Sequence, residues 1–239
     1  MNRDPLEPRL PSSTVTSHAA AVLIVFWCFL LAGCGMTVTP PPAPDHPVTV
    51  YLTHHGIHTG LLLPREDGRL AQYSFSRWDW AALDEDQFYR APFAALVPGK
   101  GTLGTRNLEG PFTLESLAAC PELTDNHPPM DSFYPIVVDA QSCRQTLATL
   151  DARWQASAST ARLNRKRSLN YIQDPADYSL ANTCNTETAS WLTSLGCTVT
   201  GAAMTSDIRV RSPGGADSRD IAAIKAKPPA STLARARDE

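Results

Sequence analysis

The chain lacks a surplus of basic charge: 21 Lys and Arg stand against 24 Asp and Glu, for a formal net charge of -3. That balance offers no broad attraction to nucleic acid or to anionic lipid, so nucleic-acid binding is not expected. The local cluster Arg162, Arg165, Lys166 and Arg167 reads as a solvated face. No apolar run has full membrane length, because the longest, Ala19 to Gly33, is short for a span. There is no internal repeat. The glycine-rich stretch GKGTLGTRNLEG lacks the strand-loop-helix context of a phosphate cradle and reads as a loop. The histidines of HHGIH lack helical placement, and on a strand residues four apart sit about 13 Å from one another, too far to share a metal ion without a turn. No metal and no cofactor are expected.

What the chain does have begins at its amino end. Arg3 and Arg9 precede the apolar run, which closes in Leu31-Ala32-Gly33-Cys34. Small residues before a cysteine favour a cleaved signal over an uncleaved anchor. The motif resembles the lipobox of bacterial lipoproteins, which implies a signal peptide over 1–33, diacylation of Cys34 and a membrane anchor there. Gly35 in place of Asp implies release toward the outer membrane, facing the periplasm. Residues 34–47, with TVTPPPAPDHP, read as a lipidated cysteine followed by a proline-rich tether. The mature chain of about 205 residues suits one domain. That domain is expected over 48–213, and 214–239, rich in Ala, Pro and alternating charge, is expected to be disordered. The sequence does not fix the oligomeric state.

Within the body, Val48–Leu52 and Gly60–Leu63 read as strands joined around Gly56, and Gln72–Ser76 as a third with Tyr73 and Phe75 facing the core. Trp78–Tyr89 reads as helical. Tyr134–Val138 reads as a strand leading into a helix with Cys143, Leu147, Leu150 and Trp154 on one stripe. Asn182 and Thr183 are N-cap types, Ala189, Leu192 and Leu195 form an apolar stripe, and Gly196 stops that helix. The fold class is α+β. The four cysteines of the mature chain, Cys120, Cys143, Cys184 and Cys197, allow three pairings if both bridges form in an oxidising compartment.

Cys184 falls in the first turn of the best-supported helix, where free N–H groups and the positive end of the helix favour a thiolate. A buried or bridged cysteine is the plainer reading on composition alone. A thiol nucleophile needs a base, and His54, His55 and His58 form the one tight histidine cluster; of these, His58 opens a strand. A histidine beside Gly56 could equally serve only to satisfy backbone groups.

HGIHTG, His55 to Gly60, together with NTCNTET, Asn182 to Thr188, resembles a family of bacterial envelope proteins marked by HGxHTG and NTCN motifs. More distantly, the order of the two motifs is similar to that of circularly permuted papain-like (NlpC-type) cysteine hydrolases. The resemblance covers most of Val48 to Val199 but rests on two short motifs. It implies an antiparallel sheet packed against helices, with Cys184 as nucleophile and His58 as general base. It also places an orienting residue on the next strand, at Gln72 or Ser74. Backbone N–H groups at the helix start would hold the oxyanion. His55, Asn182 and Asn185 would support the site. The chain departs from the family pattern at Ile57 and Glu187, where tryptophans are usual, so its substrate-side contacts differ from the family's. The implied activity is thiol-dependent hydrolysis or acyl transfer on an amide, ester or thioester, with peptidoglycan peptides or acyl lipids as substrates. The alternative is a non-catalytic envelope lipoprotein that uses the same fold for binding or as a scaffold. If Cys184 must stay free, Cys120 with Cys143 is the candidate disulfide, and the helix end with an imidazolium should lower the Cys184 pKa.

Overall fold

The computed structural model describes residues 35–83, 97–110, 112–124, 130–201, 207–213 and 220–225, within one compact unit, Cys34–Glu239. The sequence readings of the signal segment and of Cys34 lie outside the described residues. Among the described residues no helix is long and apolar enough to cross a membrane.

The frame is an eight-stranded antiparallel sheet. Strands β2 (Pro47–His55), β3 (His58–Pro64), β4 (Leu70–Arg77) and β5 (Gly99–Leu108) follow one another as neighbours. Beyond β5 lie β8 (Leu169–Tyr178) and β7 (Arg162–Asn164); beyond β2 lie β6 (Ser132–Asp139) and β12 (Ile224–Lys225). The β2–β3 hairpin closes on the pair His55 and His58 around Gly56, whose φ of 61 suits a tight two-residue turn. A smaller sheet orders β11 (Asp220–Ile221), β10 (Ile208–Arg211), β1 (Met36–Thr39) and β9 (Thr198–Thr200), with β1 and β10 parallel.

Alternation along the strands divides the large sheet into two faces. One face carries Leu52, Leu61, Leu63, Tyr73, Phe75, Leu103 and Ile172. It packs on α4 (Ala140–Ala156), through Cys143, Leu147 and Leu150, and on α5 (Cys184–Ser194), through Trp191 and Leu192. The other face carries Tyr51, Leu62, Leu70, Leu108 and Phe133 beneath the short helices α2 (Leu114–Ala118) and α3 (Pro121–Thr124). The remaining described α-helix, α1 (Trp78–Ala81), follows β4 directly. At the head of α4, Asp139 caps by accepting from the Gln141 amide at 2.8 Å.

Four expectations change. The expected tether is partly strand: Met36 and Val38 are fully buried, because β1 sits between β9 and β10 in the smaller sheet. GKGTLGTRNLEG is largely strand β5, held between β4 and β8, not a loop. The tail after 213 contributes β11 and β12, which pair with β10 and β6, so the folded body extends past that boundary. Cys120 and Cys143 form no disulfide, since they lie in cores on opposite faces of the large sheet; all four described cysteines are free and buried. The helix expected over Trp78–Tyr89 is described only as far as Ala81, and its remainder lies outside the described residues.

Candidate functional site

Cys184 is the first residue of α5. Thr183 precedes it as N-cap and forms a capping box with Thr186: the Thr183 hydroxyl accepts from the Thr186 amide, and the Thr186 hydroxyl accepts from the Thr183 amide at 2.7 Å. Asn182 lies one residue earlier, in a turn bridged to Ser179, and its Nδ2 donates to the Asp177 carbonyl at 2.8 Å. This amide shapes the approach to the helix.

The first turn of α5 is fixed to β3 through Thr59. The Thr59 hydroxyl lies 2.9 Å from Asn185 Oδ1 and 3.1 Å from Thr188 Oγ1, with all three residues buried. The Cys184 thiol points to the Ile57 carbonyl at 3.9 Å and to Asn185 Oδ1 at 3.6 Å, and only 6% of the residue is exposed. Burial pushes this thiol up from its ordinary pKa, and the surrounding amides and the Tyr178 hydroxyl offset it only in part. The expected lowering is therefore reversed, because desolvation outweighs the helix end.

His58 adjoins the same turn but serves the other side of the sheet. Its Nε2 lies 2.7 Å from Ser74 Oγ, and its ring centroid is 6.3 Å from that of His55, the residue paired with it across the hairpin. Burial, followed by the positive fields of His55, Arg167 and His54, holds the imidazole down at about 3, so the ring is neutral near pH 7. Of the two orienting candidates, Ser74 reaches His58, whereas Gln72 Oε1 accepts from Arg106 Nε at 2.7 Å. No hydrogen bond joins Cys184 to His58 among the described residues. Strand alternation gives the reason: Thr59 faces α5, so its neighbour His58 faces away.

The histidine that shares the α5 face is His54, paired across the hairpin with Thr59. Its Nδ1 lies 3.8 Å from the Asp131 carboxylate, and its buried Nε2 has no hydrogen-bond partner among the described residues. The sequence placed His54 in the cluster but gave it no role; the phase of the strand was the available signal.

On the His58 face, neighbouring cross-strand rows bring together a set of buried polar groups. Thr53 pairs with Gly60 and Gly60 with Ser74; Ser74 pairs with Gly104, and Gln72 with Arg106. Thr53, His55, Gln72, Ser74 and Arg106 are all buried. Arg106 is hidden in the sequence because its glycine-rich segment reads as a loop. Read as a strand, the segment puts Gly104, Arg106 and Leu108 on one face.

No protein-family model, curated protein or solved structure matches the chain.

Proposed function

We propose that this chain is a lipid-anchored protein of the bacterial envelope, held to the outer membrane through Cys34, whose permuted papain-like domain binds a ligand rather than cutting one. The anchor rests on Leu31-Ala32-Gly33-Cys34. The permuted assignment is supported by a histidine hairpin that precedes a cysteine helix, with an antiparallel sheet packed on that helix. Binding without catalysis rests on one observation: Cys184 and His58 are directed to opposite faces of the sheet, the thiol toward the Ile57 carbonyl and the imidazole toward Ser74. A neutral, buried thiol without a contacting base is a poor nucleophile. Peptidoglycan fragments and acyl lipids are the natural ligands of the compartment.

A second reading, a thiol hydrolase or acyltransferase, is favoured by His54, which shares the face of α5, neighbours Asp131 and has no partner for Nε2 among the described residues. In that reading Cys184 would attack an acyl carbonyl, His54 would accept the thiol proton and return it to the leaving group, and water would release the acyl-enzyme.

Iodoacetamide labelling of Cys184 across pH separates the two. The binding reading expects slow labelling that rises only in the alkaline range and is unchanged by His54→Ala or His58→Ala. Rapid labelling at neutral pH that His54→Ala abolishes would establish the enzyme instead. For the anchor, labelled fatty acid should enter the wild type and not Cys34→Ser; incorporation into that variant would remove the lipoprotein assignment.

A further inference from the structure

We propose that Arg106 anchors a binding site for a small carboxylate on the His58 face of the large sheet. The inference rests on the binding reading above and names the ligand's chemistry. Arg106 is 8% exposed, and its Nε donates to Gln72 Oε1 at 2.7 Å. Its Nη1 and Nη2 are buried and have no hydrogen-bond partner among the described residues. A buried guanidinium with four unmet N–H donors is costly to fold around, and such a group persists where something else completes it.

With Nε committed to Gln72, the remaining Nη1 and Nη2 present two donors side by side. That fork matches the two oxygens of a carboxylate. The adjoining row adds polar groups. The Thr53 hydroxyl is buried without a partner among the described residues, and Ser74 follows beyond Gly60. Arg106 adjoins, without lining, a cavity of about 280 Å³: its wall holds Leu108, two residues along the same face, and Cys120 and Glu122, whose fields act on the guanidinium.

The cavity also decides the ligand's charge. Glu109 and Glu122 lie in its wall, and Glu122 accepts from Cys120 Sγ at 3.1 Å. Two carboxylates there disfavour a dianion such as phosphate, whereas Leu108, Phe112 and Ala119 offer apolar contact to the body of a monoanion. A short-chain carboxylic acid, free or as the terminus of a larger molecule, meets both conditions.

The test is thermal unfolding of the full mature protein, lipid included, in detergent, with sodium butyrate against sodium chloride at equal ionic strength and pH 7. Butyrate should raise the transition saturably, by roughly 5–10 °C at hundredfold excess over Kd for a chain of this size. Sodium phosphate should give no more than chloride. Arg106→Gln, whose amide can still donate to Gln72, should unfold no earlier than the wild type without ligand and should lose the butyrate response. Arg106→Lys keeps the charge without the fork and should weaken binding at least tenfold, which keeps the question open to measurement if the Gln variant does not fold. A wild type that answers butyrate no more than chloride would overturn the proposal, as would a response retained in both variants or one specific to phosphate. Failure here with slow, His54-independent Cys184 labelling removes the carboxylate and leaves the binding reading; rapid, His54-dependent labelling removes that reading whatever butyrate does.

Discussion

His58 and Thr59 are consecutive on β3 and serve opposite sides of one sheet. The His58 ring meets Ser74 Oγ at 2.7 Å on one side, and the Thr59 hydroxyl meets Asn185 Oδ1 at 2.9 Å on the other. A one-residue step in a strand is a change of face. This step separates the imidazole from the thiol that a Cys184–His58 couple would require, while leaving both near the same hairpin turn.

Thr59 is then the residue through which the hairpin governs Cys184. Thr59→Val keeps the shape but leaves the buried Asn185 carbonyl without its hydroxyl donor, at a cost of roughly 1–3 kcal/mol. Loosening the first turn should also speed alkylation of Cys184. Thr59→Ser should restore most of both. Urea midpoints and labelling rates measured on the same three proteins check this, and a Thr59→Val protein as stable and as slow to label as the wild type would refute it.

His58 should make the domain acid-sensitive. Burial first, then neighbouring positive charge, lowers its pKa from 6.5 to about 3 in the folded chain. Between those values the unfolded chain binds a proton that the folded chain refuses. The stabilising effect is therefore complete above pH 6.5 and declines as pH falls toward 3, at up to about 1.4 kcal/mol per pH unit. His58→Gln, which can still bond Ser74, should flatten stability over this window. Denaturation midpoints from pH 7 to pH 4 give the slope, and NMR of the ring should show no titration near pH 6.5.

What was legible in the sequence was periodicity. Alternation at Tyr73 and Phe75, the stripe Cys143, Leu147 and Leu150, and the Thr183 cap were visible because each is a local pattern with one structural solution. Strand β5 was hidden by its glycines, which are there for close packing. A Cβ at Gly104 would stand 2.5 Å from the Tyr171 ring, and one at Gly101 would stand 2.2 Å from the Ala176 carbonyl. Neither neighbour is near in sequence. Strands β11 and β12 were hidden because two-residue edge pairings leave no period to read. The candidate site failed at the same level: motif order named the elements carrying Cys184 and His58, but the face of each residue depended on a register that only the fold supplies.

The segment after Cys34 should behave as core, not as tether. Met36 is fully buried, its amide donates to the Asp207 carbonyl at 2.8 Å, and β1 is paired on both edges. Met36→Ala should cost about 2–5 kcal/mol, as for other buried methionines. Pro42→Ala, at an exposed position in the link to β2, should stay within about 0.5 kcal/mol of the wild type. Equal denaturant midpoints for the two variants would return β1 to the tether.

Arg153 should be the costliest single side chain to remove from the face that carries α5. From α4 it donates through Nε to Asp174 Oδ2 at 2.6 Å and through Nη2 to Asp174 Oδ1 at 2.8 Å, on β8. It reaches Glu187 on α5 with Nη1 and Nη2, each at 3.1 Å. Burial works against its charge, yet the bonds to the two carboxylates outweigh that and hold its pKa above the ordinary value. The Asp174 side chain has no exposed surface, so Arg153→Ala strands a buried carboxylate and should cost about 3–5 kcal/mol. Glu187→Gln leaves the Asp174 pair intact and should cost clearly less. Replacing the central pair together, as Arg153→Met with Asp174→Leu, removes both buried charges at once, so the double variant should recover much of the loss. Urea midpoints of the wild type and these three variants check this, and an Arg153→Ala loss below about 1 kcal/mol would show that this network does not hold α5 on the sheet.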